Sequence, residues 1–361
     1  MTQVRRQLPV EAVGGSIYEL LLTIWLAFDS GEEQNSFELG GDWFKALAES
    51  TDADLRSEIE FLGGGQCLTW CALRGLVAFA PGPYDVDTVL AWIETLDPAA
   101  VREALLAYEC TLPDDARLVD RAVAGDISAL ESVLADKPDS VEWYRQLFEM
   151  DEGELRHRLV DALRRWRTDV FAPFEADFAQ ATAEAARATQ ALAKGADPER
   201  VIEGVTNGLD YRIPPGVSRL VLVPSVVLRP WAVIDRYRDV LMVAFPVADE
   251  YIGTDPEAPP AWVVKLHKAL GDEKRLRILR RLSESATTLD DLAEILDVTK
   301  STVHHHVGLL RSAGLVRVVI DPVTGAKTYG PRSSVLPEAR RALDEYLTAG
   351  FESQTTLRRE A

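Results

Sequence analysis

Between Trp262 and Pro331 the sequence falls into an order of short segments that few folds can accommodate. "WVVKLHKALGDEKRLRILRRLSES" reads as two helices broken near Gly271 and Asp272. "TTLDDLAEILDV" is a further helix, with Thr288 as its cap and Leu289, Leu292, Ala293 and Leu296 at helical spacing. After a short turn, "KSTVHHHVGLLRSAG" forms another helix that ends at Gly314, a residue able to take the left-handed conformation that closes helices. "LVRVVIDPVTGAKTYGP" then reads as a hairpin, two apolar strands around a "DPVTGA" turn.

The last of these helices carries His304, His305 and His306, three of the five histidines in the chain. Consecutive helical residues point about 100° apart, so the three imidazoles cannot share one ion. No His, Cys, Asp or Glu stands four residues from any of them, and a metal site would need ligands from elsewhere. Val303, Val307 and Leu310 form the stripe that must be buried, and His306 falls beside it, which predicts half-buried packing with a hydrogen bond. His304 and His305 then point outward with Lys300, Ser301 and Thr302. Taken alone, these residues describe a solvated helix face. In the order helix, helix, turn, helix, hairpin they describe the reading helix of a winged helix-turn-helix, whose N-terminal end enters the DNA major groove. The expected DNA contacts are Lys300, Ser301, Thr302, His304, His305 and Arg311 on the helix, and Arg317 and Lys327 on the hairpin.

The net charge of −19 argues at first against a polyanionic partner. The charge is unevenly placed. Residues 262–336 hold about 12 Lys and Arg against about 8 Asp and Glu, which leaves roughly −22 on residues 1–261. Five of the eight lysines, Lys265, Lys268, Lys274, Lys300 and Lys327, lie in the basic segment.

"LHKALGDEKRLRILRRL" followed by "TLDDLAEILDVTKSTVHHHVGLLRSAGLVRV" resembles the ArsR-type winged-helix repressors over about 75 residues. The resemblance implies that Lys300 to His305 face DNA and that the wing, from Arg317 to Lys327, contacts the backbone or the minor groove. It also implies a homodimer paired through the first and last helices, with "PEARRALDEYLTAGF" as the last, on an inverted-repeat operator. Metal-sensing members of that family carry cysteines in the second helix, or His and carboxylates in the last. Here "TLDDLAEILD" has no cysteine and no histidine follows His306, so no metal or other cofactor is expected.

The rest of the chain is less specific. Residues 16–190 read as mostly helical, as in "DPAAVREALLAYE" with its Asp97 cap and Pro98, "DISALESVLAD" and "SVEWYRQLFEM". Residues 154–192 suggest one long helix ended or kinked by Pro173, either an arm or a bundle member. "SIYELLLTIWLAF" is too short to span a bilayer and reads as a buried helix despite Glu19. "SRLVLVPSVVLRP" and "DVLMVAFPVADEY" read as strands of a small sheet near 205–250, and Gly253–Pro260 as a linker. The stretch 220–249 is similar to that of uncharacterised long bacterial regulators of this type, which adds no activity. The expected fold is mostly α with small β: an α+β domain over 1–252, a winged helix-turn-helix over 262–336, and a C-terminal helix over 337–361 as a possible dimer contact.

Candidate sites in the N-terminal part are sparse. Cys67 and Cys71, four apart, could be a thiol pair or ordinary buried cysteines, and "LGGGQCL" is a weak phosphate-cradle signal. Arg229, Trp231 and Tyr237 could line a pocket for a small-molecule effector, although a core role for Trp231 accounts for it equally. His157 has no partner in the sequence. No nucleophile elbow, Walker pattern or H-E-x-x-H is present, and no catalytic residue is expected. Three cysteines and a start without an apolar leader fit a reducing cytoplasm and no membrane. The sequence reading is a DNA-binding regulator with a sensing domain. Its rivals are an enzyme with a fused DNA-binding module and a winged helix that binds protein.

Overall fold

The computed structural model describes residues 8–29, 34, 37–64, 68–109, 116–135, 137–253, 259, 261–320, 326–332 and 335–357. The chain divides into two compact units, Met1–Pro198 with Pro215–Val247, and Glu199–Pro214 with Ala248–Ala361. The division follows Val247 rather than residues 253–260, and residues 199–214 belong with the C-terminal part.

The first unit is built on α1 (Ser16–Phe28), buried along nearly its whole length. A helix apolar on every face has to be surrounded, and it is: by α2 (Gly41–Ser50), α3 (Ala53–Gly63), α4 (Leu68–Val77), α5 (Val86–Thr95) and a sheet. After α6 (Ala99–Glu109), α7 (Ala116–Val123), α8 (Ile127–Val133) and α9 (Val141–Glu149) comes α10 (Glu152–Trp166). A π-helical turn over Arg167–Phe171 leads from α10 directly into α11 (Ala172–Ala193). Pro173 has no N–H to give, and the ladder widens just ahead of it: Ala172 N–H reaches back to Arg167 O. The long segment is therefore continuous and a bundle member, with Ala181, Thr182, Ala185, Ala186 and Thr189 buried.

The sheet has the order β1-β3-β5-β4, where β1 is Val10–Ala12, β3 is Arg219–Ser225, β4 is Val233–Tyr237 and β5 is Val240–Pro246. The first three are mutually parallel and β4 runs antiparallel at one edge. β3 and β5 are almost wholly buried, as strands covered on both faces should be. Glu19, fully buried on α1, accepts hydrogen bonds from Val226 N–H (3.2 Å) and Val227 N–H (3.0 Å) where β3 ends. Burial pushes its carboxyl up to about 7, against the pull of Ser225 and the two backbone donors.

The second unit begins with α12 (Pro198–Val205), all but its first residue, and the short strand β2 (Leu209–Tyr211). It continues with α13 (Ala261–Leu270), α14 (Glu273–Glu284), α15 (Leu289–Leu296), α16 (Lys300–Ser312), β6 (Val316–Ile320), β7 (Lys327–Pro331) and α17 (Val335–Leu357). The helix–helix–turn–helix–hairpin order is present. The last helix starts two residues earlier than expected. The hairpin is not two-stranded: β2 pairs parallel with β6, giving the order β2-β6-β7, and Thr287 bridges to Tyr329 on the far side. The sequence reading had placed residues 209–211 with the N-terminal sheet.

Candidate nucleic-acid interface

Each turn of the helix-turn-helix is fixed by a local bond. The Thr288 hydroxyl accepts from Asp291 N–H (3.2 Å), while Asp291 Oδ2 accepts from Thr288 N–H (3.2 Å), a reciprocal cap at the start of α15. α15 ends on Asp297 in the left-handed region (φ 53°), which turns the chain sharply into α16. Thr299 caps α16 by accepting from Thr302 N–H (3.2 Å). Gly314, at φ 72°, ends the helix and starts the wing.

On α16 the expected stripe is buried: Val303, Val307 and Leu310, with Gly308. Ser301, His304 and His305 are exposed. Leu309 (37% exposed) joins Ser301 and His305 at helical spacing, an apolar member of the outward face that the sequence reading overlooked. Thr302 is half-buried, its hydroxyl 2.8 Å from that of Thr299. Lys300 reaches back to Asp290 of α15 at 2.9 Å, both side chains exposed. Such a pair is weak in water and can yield to a phosphate.

Two expectations change. His306 is half-buried as anticipated, but its Nδ1 is buried without a hydrogen-bond partner among the described residues. Burial holds this imidazole below the ordinary histidine range. Arg311 does not stand with the exposed residues. It is half-buried beside Tyr329 of β7, where burial lowers its guanidinium from the usual arginine value.

On the wing, Lys327 pairs with Ile320 at the distal end of the hairpin and is exposed. Arg317 pairs with Gly330 three positions nearer the base, roughly 10 Å from the distal pair at the usual strand rise. Arg317 is exposed while Val316 and Val318 are buried, so it stands on the sheet face turned away from the helices. The wing tip, residues 321–325, lies outside the described residues.

The expected effector cluster is not a cluster. Arg229 is buried and its guanidinium is taken up by Glu38, with Nε at 3.0 Å and Nη2 at 2.8 Å from Oε2, and by Val247 O. Tyr237 is buried beside Phe79 and against Gly75, where a methyl group would come within 2.7 Å of the ring. Its hydroxyl is raised to about 12 by burial. Val247 follows the end of β5 whereas Tyr237 pairs with Val240 at its start, so the two residues are ~20 Å apart along the sheet. Trp231 is half-buried against the core. Cys71 is a buried free cysteine, and Cys67 lies outside the described residues, as do Gly65 and Gln66 of "LGGGQCL". His157 is exposed on α10.

Among the described residues, no group of three His, Cys, Asp or Glu could hold a metal ion, and no helix is long and apolar enough to cross a membrane. A family model described as a helix-turn-helix domain matches residues 270–319, which cover α14, α15, α16 and most of β6. No curated protein matches the chain. Residues 270–319 are thus a helix-turn-helix domain, a DNA-binding module.

Proposed function

We propose that the chain is a transcriptional regulator of the ArsR type, a repressor that binds an inverted-repeat operator as a homodimer. The observation that carries this reading is the split of α16 into a buried stripe and an outward face of Ser301, His304, His305 and Leu309, beside a wing. Hydroxyls and imidazoles accept and donate to base edges, and Leu309 suits a thymine methyl group. The proposed DNA contacts are therefore Ser301, Thr302, His304 and His305 for sequence, and Lys300, Lys327 and Arg317 for the backbone. Arg311 is proposed only to brace α16 against the wing.

An apolar groove of about 420 Å³ lies between α13 and α17, lined by Val263, Val264, His267, Leu343 and Tyr346 among others. Trp262, Tyr346 and Leu347 are exposed on the same two helices. Apolar surface of this kind suits a second copy of the chain. One experiment tests the whole reading. Operator sites selected from random duplexes should be palindromic and titrate with two chains each. His305→Ala should then lose ~1–3 kcal/mol of discrimination against mismatched sites. Lys327→Ala should weaken specific and random DNA alike. Equal effects of both substitutions on both kinds of DNA would refute this division of roles.

We further propose that the acidic first unit senses a small organic effector and is not an enzyme. Its size supports this: it is far larger than a dimer seam requires. An effector must bind the DNA-competent and DNA-incompetent states with different affinity. Thermal shifts of the full chain across a metabolite panel should reveal a stabilising compound that also changes operator affinity. A panel with no such compound favours a unit that docks a protein.

A further inference from the structure

The wing takes its third strand from a distant part of the chain. β6 and β7 form an antiparallel ladder from Val316↔Pro331 to Ile320↔Lys327. β2 lies along the other edge of β6, parallel to it, in the register Leu209↔Val318, Asp210↔Val319 and Tyr211↔Ile320. Gly208, at φ 98°, brings the chain onto this edge, and its carbonyl accepts from Val318 N–H at 3.0 Å. A methyl group on Gly208 would lie 3.2 Å from Arg317 Cβ, so a larger residue would hold β2 off β6. A parallel ladder alternates its bonds along the strand, and this register gives Asp210 N–H to Val318 O.

The segment around β2 is fastened at both ends. The Thr206 hydroxyl donates to Ile202 O at 2.6 Å and accepts from Leu209 N–H at 3.1 Å, which ties β2 to the end of α12. Val201, Ile202 and Leu209 are buried. Glu199 closes the segment: its Oε1 accepts from Ile213 N–H at 3.0 Å and its Oε2 from Arg212 Nη1 at 2.7 Å. Residues 199–214 are thus a closed finger of the second unit, while the chain up to Pro198 and from Pro215 belongs to the first. A two-stranded hairpin alone is marginal in water, and a third strand steadies it. β6 carries Arg317, and Ile320 at its far end is paired on both sides, with Tyr211 and with Lys327. β2 therefore holds the strand from which both proposed wing contacts are placed.

We infer that residues 199–214 belong to the DNA-binding module: β2 positions the wing on DNA, attached to β6 through Gly208 O and Asp210 N–H. The inference rests on the DNA-binding function proposed above. β2 itself meets no DNA; it acts through Arg317 and Lys327, which makes 199–214 a positioning segment. The module is then discontinuous in sequence, since the helix-turn-helix match begins at 270 and contains none of this segment. The chain enters and leaves the finger through the first unit, so two covalent connections tie the wing to that unit ahead of the one after Val247.

The test uses the full chain, with Asp210→Pro, which removes the N–H given to Val318, and Asp210→Ala, which keeps it. Hydrogen exchange of Val318 N–H reports on the β2–β6 pair. The slope of log affinity for a random duplex against log salt reports on the wing. Asp210→Pro should exchange Val318 roughly tenfold faster, the protection that one hydrogen bond supplies. It should also flatten the slope by ~1–2 per protomer. Discrimination between selected and mismatched operators, which α16 supplies, should stay as in wild type. Asp210→Ala should match wild type in all three. Adding Arg317→Gln and Lys327→Ala to Asp210→Pro should flatten the slope no further, since all three act through the same contacts. Should Asp210→Pro fail to fold, Glu199→Ala decides, because its side chain is partly exposed. Opening the finger there should move exchange and slope in the same directions by a smaller amount, and no change in either overturns the inference. A wild-type slope in a folded Asp210→Pro overturns it as well, because the wing then docks without β2. So does a joint loss of slope and discrimination, which marks collapse of the module rather than misplacement of the wing. A wild-type chain that binds no duplex overturns the function proposed above and this inference with it.

Discussion

Raising the salt from about 50 to about 200 mM is expected to weaken binding of the full chain to the proposed operator by roughly a thousandfold. A chain of net charge −19 should be repelled by DNA if charge acted as an average. It acts locally, because screening cuts off exposed charges beyond ~7–14 Å at these salt concentrations. The phosphates near α16 and the wing would meet Lys300, Lys327 and Arg317. Three phosphate contacts in each protomer of the proposed homodimer release about six counterions, which gives a slope near −5 in log affinity against log salt. Fluorescence anisotropy of a labelled duplex across the salt series measures it. A loss below tenfold would mean that fewer than two phosphates are engaged, and the wing would then have no part in docking. Lys300→Ala should flatten the slope by less than Lys327→Ala, since Lys300 must first leave Asp290.

The helix-turn-helix was legible because its determinants are local. Thr288, Thr299 and Gly314 fix helix ends through bonds to residues three or four places away, and the stripe of Val303, Val307 and Leu310 needs only the helical period. β3 and β5 were legible as runs of Val and Leu. β2 was not. "LDY" has no pattern of its own, and its pairing with Val318–Ile320 is set by tertiary structure 109 residues away. The same holds for β1, "VEA". Arg229, Trp231 and Tyr237 misled because closeness in sequence suggested closeness in space, while a strand between them carries Tyr237 to the other end of the sheet. Glu19 could be read as a buried helical residue, but not its partners, the backbone N–H groups of Val226 and Val227. The match to a helix-turn-helix domain covers only residues 270–319, and the first unit offers no comparable local signature.

Asp235→Ala is expected to destabilise the first unit by ~3–5 kcal/mol, more than any surface substitution in it. Arg74 of α4 is 1% exposed, and its Nη2 lies 2.8 Å from Asp235 Oδ2 on β4. The two groups are in charge contact without the alignment of a hydrogen bond, and Nη1 has no hydrogen-bond partner among the described residues. Burial pushes the Asp235 carboxyl above the usual carboxylate range, even with Arg74 beside it and Tyr108 donating to it. Removing Asp235 leaves a guanidinium that cannot lose its proton in a site with no other charge to meet it. Its remaining contacts are the Cys71 carbonyl, 3.3 Å from Nε, and the face of Trp25 at 5.9 Å. Neither replaces a carboxylate. Replacing both residues by apolar side chains of similar volume, Arg74→Met with Asp235→Leu, should recover most of the loss, because the desolvation cost of both charges disappears together. Urea unfolding of the two single variants and the double variant closes the cycle. If the double variant is as unstable as the sum of the single ones, the pair contributes through packing alone and the charge argument fails. If it recovers, the pair is costly to keep, and what it supplies is the fixed registry of α4 on β4.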